Sequence, residues 1–144
     1  MLRVFIDANI FFAAAGSPTG GSALILELAK RRKIKVVTVS YALAEAEKNI
    51  KLKLDPRALS LHYKNILEIA PEIQLLDALN LRGIVKLENI LPVKDIPIFA
   101  GALLSGAEAL ITLDKKDFLE NKKLTSMRLP FRIVNPEIFL KNYF

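Results

Sequence analysis

The sequence predicts an α/β fold, an α/β/α sandwich with a central parallel sheet of four to five strands. Short runs rich in β-branched residues alternate along the chain with longer segments whose apolar residues recur at helical spacing. This alternation is typical of a parallel sheet that is covered by helices on both faces. The chain has 144 residues, of which 52% are hydrophobic and 25% are charged. Residues 1–144 are therefore predicted to form a single globular domain.

The N-terminal half predicts two strands and three helices. Ser40 is suited to be a helix N-cap, and Asp55 followed by Pro56 is typical of a helix start. In chain order the elements are a strand at 3–6, a loop at 16–22, a helix at 22–32, a strand at 35–39 and helices that start near 40 and 56. The third helix is predicted to leave His62 partly exposed and to bury one stripe, made of Leu59, Tyr63, Ile66, Leu67 and Ala70.

The C-terminal half predicts three strands and two helices. A strand is expected at 73–76, a second at 109–113 and a third at 131–134. Asp95 opens an apolar helical run that Gly106 closes, and Pro136 begins a short final helix. Residues 77–92 are apolar without a firm period, so the sequence assigns them no element.

Composition excludes several classes of site and favours a polyanionic partner. The chain has no cysteine, which excludes disulfides, thiolate zinc sites and cysteine nucleophiles. It lacks the apolar segment of a signal peptide and any run of about 20 apolar residues, so we expect a cytoplasmic protein without membrane contact. The net charge is +6, and a basic surface attracts nucleic acid. A solvated, lysine-rich surface is the alternative interpretation.

Carboxylates stand at or near the ends of predicted strands. Asp7 follows the first strand, and Asp114 follows the strand at 109–113. Asp95 opens the helix before that strand, and Glu45 lies early in the helix after the second strand. Because the carboxyl ends of parallel strands share one edge of the sheet, we expect these four acids to lie close together.

Grouped carboxylates repel each other by about 4 kcal/mol per pair at about 4 Å and an effective dielectric constant of about 20. A protein relieves this repulsion by protonating some of them or by binding a cation. An all-oxygen ligand set favours Mg²⁺ or Mn²⁺. Such ions activate water and stabilise the leaving oxygen of a phosphodiester. An acidic pocket, a metal ion and a basic surface together describe a nuclease.

Each acid also has a purely structural interpretation. Asp7, Asp95 and Asp114 are all suited to cap helices or turns. Glu45 and Glu47 are alternative candidates for the second acid of the site. Both lie near lysines with which they can pair on a helix surface. The joint placement of the acids at one predicted edge is what these structural roles explain poorly.

Four segments resemble the PIN-domain family of metal-dependent ribonucleases. The N-terminal Val-Phe-Ile-Asp-Ala-Asn-Ile at 4–10 resembles the family's opening strand and first acid, and Leu-Ala-Glu at 43–45 resembles its second acidic motif. Asp-Ile-Pro at 95–97, followed by the sequence GAEALITLDKKDF at 106–118, resembles the third and fourth acidic motifs. The resemblance covers nearly the whole chain and keeps the motifs in order.

This resemblance implies divalent-metal hydrolysis of single-stranded RNA, a homodimer and, for many small members, a toxin that an antitoxin holds inactive. It implies a catalytic set of Asp7, Glu45, Asp95 and Asp114, with metal ligands Asp7, Asp95 and Asp114. Polar support is expected from Asn9, Thr112 and Asp117. Lys115 and Lys116, in a basic cluster beside the last motif, are predicted to contact nucleic acid.

Three alternatives to a toxin nuclease remain at this stage. The first is an RNA-processing nuclease, and the second is a non-catalytic RNA-binding or regulatory domain of the same fold. The third is a metal-dependent phosphatase, although position 9 is Asn and the sequence therefore has no Asp-X-Asp nucleophile motif after its first strand.

Overall fold

A parallel sheet of five strands forms the centre of the structure, a computed structural model that describes residues 1–76 and 85–143. All strand pairs in this part of the chain are parallel, and the spatial order is β3-β2-β1-β4-β5. The predicted fold class is confirmed. The strands are β1 (Leu2–Ile6), β2 (Ile34–Thr38), β3 (Glu72–Ile73), β4 (Ala109–Ile111) and β5 (Arg132–Val134).

Helices cover the sheet. They are α1 (Ala8–Gly16), α2 (Gly21–Lys30), α3 (Ser40–Lys53), α4 (Pro56–Ile69), α5 (Ile96–Ser105), α6 (Lys122–Thr125) and α7 (Pro136–Tyr143). Two 3₁₀ turns, Val85–Asn89 and Val93–Asp95, precede α5, and one turn of π-helix, Lys115–Leu119, follows β4. No helix in the described ranges combines the length and the apolar character that a membrane span requires.

The central position of β1 determines where the predicted acids lie. β1 pairs with β2 on one side and with β4 on the other, and the β4 register places Ile6 beside Ile111. The Asp7 amide continues the ladder by donating to the Ile111 carbonyl at 3.1 Å. The expectation that the first strand and the strand at 109 are central neighbours is confirmed. Their carboxyl ends therefore open onto the same edge.

Several element boundaries differ from the sequence-based expectation. Val39, not Ser40, is the N-cap of α3, and no side chain caps that helix. The apolar run at 10–15 belongs to α1, which begins at Ala8 directly after Asp7. The strands expected at 73–76 and 109–113 are shorter, since β3 ends at Ile73 and β4 at Ile111. One further backbone hydrogen bond follows each strand, from the Gln74 amide to Thr38 and from the Thr112 amide to Val134. Of the unassigned segment 77–92, residues 77–84 lie outside the described residues.

The face of α4 that packs inward was predicted wrongly. Its buried residues are Ala58, His62 and Asn65, whereas the exposed fraction of Leu67 is 80%. Two polar residues, His62 and Asn65, lie on the buried face, so a prediction based on apolar spacing selected the face beside it. The Lys30 ammonium donates to the Asn65 amide oxygen at 2.7 Å, which satisfies that buried group.

His62 is buried and not partly exposed as predicted. Its ring packs edge-on against Phe11, with ring centroids 6.1 Å apart. Neither ring nitrogen has a hydrogen-bond partner among the described residues. Burial lowers the pKa of His62, so the side chain is neutral in the folded protein at neutral pH.

Candidate active site

All four predicted acids line one cleft at the carboxyl edge of the sheet. The cleft has a volume of about 210 Å³. Asp7 and Asp114 reach it from the ends of β1 and β4, Asp95 from the turn before α5, and Glu45 from α3. The other lining residues are Ala8, Asn9, Phe12, Asn49, Lys53 and Lys94.

Volume alone does not single out this cleft. A hollow of about 280 Å³ lies between α1, α2 and α4, and Glu27 is the one carboxylate among its described lining residues. The concentration of acids, rather than size, makes the cleft at the sheet edge the candidate site.

Asp7 caps α1 and has a raised pKa. Its Oδ1 accepts a hydrogen bond from the Ala8 amide at 2.6 Å, and its Oδ2 accepts one from the Thr112 hydroxyl at 2.8 Å. Burial is the main cause that raises its pKa to about 6, and the charges of Asp114 and Glu45 add to the shift. The two hydrogen bonds oppose the shift because they stabilise the charged form.

The Thr112 hydroxyl links the acids at the ends of β1 and β4. It donates to Asp7 and accepts from the Asp114 amide at 3.1 Å. Asn9 completes the network: its amide nitrogen lies 3.3 Å from both Asp7 Oδ2 and Thr112 Oγ1, and its oxygen accepts from the Leu113 amide at 3.1 Å. Both residues thus touch the acids that the sequence resemblance expected them to support.

Asp95, Asp114 and Asp117 form a tight carboxylate group. One oxygen atom from each lies within 4.8 Å of the other two, an arrangement compatible with a shared cation. Asp114 Oδ1 accepts from the Asp117 amide at 2.9 Å and so caps the π-helical turn. Phe118, fully buried in the same turn, holds the segment against the core.

One carboxylate oxygen of Asp95 lacks a partner. Its Oδ2 is buried and has no hydrogen-bond partner among the described residues. The pKa of Asp95 is raised to about 7, mainly by burial; the hydrogen bond with the Asp117 carboxyl and the charges of Asp114 and Asp117 add to the shift, and the Lys94 ammonium opposes it. An unpartnered carboxylate oxygen beside two other carboxylates is what a hard divalent cation would satisfy.

The donor chemistry of the cleft fits Mg²⁺ or Mn²⁺. Every charged ligand candidate is a carboxylate, and the one histidine, His62, is buried against Phe11 and lines no part of this cleft. The π-helical turn brings Asp117 beside Asp95 and Asp114, although Asp117 is not among the cleft-lining residues. Asp7 lines the cleft from the carboxyl end of the neighbouring strand β1 and lies outside this group of three.

The choice between Glu45 and Glu47 follows from their directions on α3. Glu45 lines the cleft, whereas Glu47 accepts a hydrogen bond from Lys51 Nζ at 2.9 Å on the helix surface. Lys115 and Lys116 are exposed and are not among the cleft-lining residues. Their contact with nucleic acid stays a prediction.

Four further residues at the cleft were missed from the sequence. Asn49 and Lys53 line it from α3, Lys94 lines it from the turn before α5, and Tyr41 lies near enough for the acids to shift its pKa. Helical spacing was the available signal, because residues 41, 49 and 53 lie four or eight positions from Glu45 and share its helix face. Phe11 and Phe118 are buried, whereas Phe12 reaches the cleft.

The raised pKa of Asp7 predicts how stability depends on pH without metal. Folded Asp7 keeps its proton up to about pH 6, whereas unfolded Asp7 loses it near 3.8. The folded state therefore binds more protons in this window, and its free energy of unfolding falls by about 3 kcal/mol as the pH rises through it. The raised pKa of Asp95 also makes the free energy of unfolding fall as the pH rises. The lowered pKa of His62 has the opposite effect, because acid protonates unfolded His62 more readily than folded His62.

Urea unfolding in EDTA at pH 4 and pH 6.5 measures this effect, with Asp7→Asn as the comparison. Groups remote from Asp7 titrate equally in both proteins, so the difference between the two curves reports Asp7 together with the acids coupled to it, Asp114 and Glu45. We expect Asp7→Asn to gain stability relative to the wild type as the pH rises. Parallel pH profiles for the two proteins would contradict the assigned pKa.

Comparisons with known proteins identify the fold and leave the family open. No protein-family model matches the chain, and no curated protein matches it in sequence. A crystal structure of VapBC2 from Rickettsia felis, bound to a DNA fragment from their promoter, contains a similar chain. The TM-score is 0.59 at 17% identity, over 93% of this chain and 98% of that one. The likeness shows a shared fold.

Proposed function

We propose that this protein is a Mg²⁺- or Mn²⁺-dependent endoribonuclease that cleaves phosphodiester bonds of single-stranded RNA. The observation that carries the proposal is the convergence of Asp7, Glu45, Asp95 and Asp114 on one cleft. The unpartnered oxygen of Asp95 and the nearby carboxylate of Asp117 support it. The sequence resemblance to PIN-domain ribonucleases, and the fold shared with a chain of VapBC2, agree with it.

Asp7, Asp95 and Asp114 are the proposed metal ligands, with Asp117 beside them. A bound divalent ion would supply an activated water and would stabilise negative charge on the leaving oxygen. Thr112 and Asn9 fix the orientation of Asp7 through the hydrogen bonds described above. Glu45, the catalytic acid outside the proposed ligand set, is suited to accept the proton of the attacking water.

Lys53 and Lys94 add positive charge to the cleft, which suits a phosphate-bearing substrate. Both line it, and neither forms an ion pair with any described residue. Two ammonium groups in the same cleft as the proposed metal ligands suit a phosphodiester, since they attract its negative charge. A small neutral substrate would leave these lysines without a role.

The fold shared with a chain of VapBC2 also bears on partners. We propose that a protein partner holds this chain inactive, as an antitoxin does with toxins of the resembled family, and that the chain forms a homodimer. Expression of the chain alone should then arrest growth, and co-expression of the adjacent reading frame should relieve the arrest. Normal growth under strong expression of an active enzyme would favour RNA processing instead.

Metal removal tests the proposed activity. We expect cleavage of a labelled single-stranded RNA in Mg²⁺ or Mn²⁺, loss of cleavage in EDTA and recovery when the ion is restored. The physical reason is that carboxylates alone repel the phosphodiester that the ion attracts. Undiminished cleavage in EDTA, or no cleavage with either ion, would exclude the proposal.

A further inference from the structure

One face of α3 continues from the acidic cleft as a groove. We propose that this face binds single-stranded RNA, with Tyr41 stacking on a base and Lys48 and Lys53 contacting phosphates. The inference rests on the proposed function, since it assigns the groove to the same substrate. It adds residues outside the acidic motifs and a chemical role for each.

Helix geometry aligns the residues of this face. Tyr41, Glu45, Asn49 and Lys53 recur at every fourth position, which places them on one side of the helix over about 18 Å. A second hollow of about 250 Å³ adjoins the cleft, and the two share Glu45 and Asn49. Tyr41, Ala44 and Lys48 complete the lining of the second hollow. The two hollows therefore lie side by side along α3, and together they make up the groove.

Tyr41 has the position of a stacking platform. The exposed fraction of its side chain is 38%, and the ring forms no contact with another described aromatic ring. Burial raises the pKa of Tyr41, and the charges of Glu45, Asp95 and Asp7 raise it further. The tyrosine thus lies within electrostatic reach of the proposed reaction centre, with its hydroxyl in hydrogen-bonding reach of the Glu45 carboxylate and part of the residue exposed to solvent.

Three lysines that border the groove form no direct ion pair with a carboxylate of the described residues, although the charge of Lys94 acts on Asp95. Lys48 lines the second hollow, and Lys53 and Lys94 line the acidic cleft. None of them takes part in the ion pairs formed by the described residues, which occupy Lys30, Lys51 and Lys64 elsewhere. Cations spaced along a groove match the spaced charges of a polyanion. The adjacent aromatic ring favours a nucleic acid over an acidic peptide, because bases stack on it.

Tyr41→Ala tests the stacking role. Fluorescence anisotropy with a labelled single-stranded RNA, in EDTA and low salt, measures binding without hydrolysis. We expect Tyr41→Ala to weaken binding about tenfold or more and Tyr41→Phe to stay within about twofold of the wild type. Tyr63→Ala on α4 is the matched control, since its exposed fraction is 40% and it lines neither hollow. Equal effects of Tyr41→Ala and Tyr63→Ala, or no RNA binding by the wild type, would overturn the inference.

Salt dependence tests the lysines. The logarithm of the RNA-binding constant falls linearly with the logarithm of the salt concentration, and each phosphate that a lysine neutralises makes this slope steeper by about 0.7. Removing one such lysine should therefore make the slope shallower by about 0.7. We expect this decrease for Lys48→Gln and for Lys53→Gln. Lys51→Gln removes the same charge from the same helix, but Lys51 pairs with Glu47, so its slope should match the wild type. Equal slopes in all three variants would overturn the phosphate contacts.

Two outcomes separate this inference from the proposed activity. Weak binding by Tyr41→Ala, combined with no cleavage by the wild type, would support the groove and exclude the nuclease. Cleavage by the wild type with unchanged binding by Tyr41→Ala would support the nuclease and exclude the groove. Competition with polyglutamate tests the base stacking itself. If the same concentration of polyglutamate displaces RNA from the wild type and from Tyr41→Ala, the groove is a general polyanion surface and base stacking is overturned.

Discussion

Asp7→Asn combined with Asp114→Asn should lower the rate of metal-dependent RNA cleavage at least about 1,000-fold. The two substitutions remove the carboxylates at the ends of β1 and β4, which reach the cleft from neighbouring strands. The fold should persist, because asparagine also caps helices and turns. Initial rates with a labelled RNA in Mn²⁺, together with urea midpoints, measure both effects.

A matched double variant controls for charge. Asp55→Asn with Glu137→Gln removes two negative charges from α4 and α7 termini, and neither residue lines the cleft. We expect its cleavage rate to stay within about twofold of the wild type. If the Asp7/Asp114 variant cleaves as fast as this control, the acids at the sheet edge are not the catalytic set.

Thr112→Val should weaken Mn²⁺ binding about 10- to 100-fold while the protein stays folded. Valine keeps the shape of threonine and suits a strand end, so packing changes little. The hydroxyl that this substitution removes is the donor to Asp7 and the acceptor for the Asp114 amide. Both proposed ligand residues then lose one of the groups that position them, while the bonds from Ala8 and Asn9 to Asp7 and from Asp117 to Asp114 remain. Calorimetric titration of Mn²⁺ into the purified protein measures the affinity.

Thr38→Val is the control for this substitution. Thr38 is equally buried at the end of β2, and its hydroxyl donates to the Ile6 carbonyl at 2.8 Å. Each variant should lose about 1–3 kcal/mol of stability, because each leaves a buried polar group unsatisfied. We expect the loss of metal affinity in Thr112→Val alone. Equal affinities in both variants would mean that the Thr112 network does not position the ligands.

One physical rule is sufficient to predict from the sequence that Asp7 and Asp114 lie close together. Parallel strands end on the same edge, so Asp7 and Asp114 converge once β1 and β4 are neighbours. That neighbour relation is confirmed by the pairing of Ile6 with Ile111. The choice of Glu45 over Glu47 also follows from helix geometry, once the inward face of α3 is known.

Other parts of the site depend on packing that periodicity does not encode. The close approach of Asp117 to Asp95 requires the π-helical turn at Lys115–Leu119, a rare geometry that buried Phe118 holds in place. The inward face of α4 was mispredicted because two of its three buried residues, His62 and Asn65, are polar. A pattern of apolar residues does not reveal such a face.

Diffraction from crystals soaked in Mn²⁺, measured at the manganese absorption edge, tests the central claim most directly. We predict an anomalous peak in the cleft with oxygen atoms of Asp7, Asp95 and Asp114 about 2 Å from the ion. Asp117 should lie beside it. A cleft without a peak at saturating Mn²⁺, or a peak that none of these carboxylates contacts, would contradict the account.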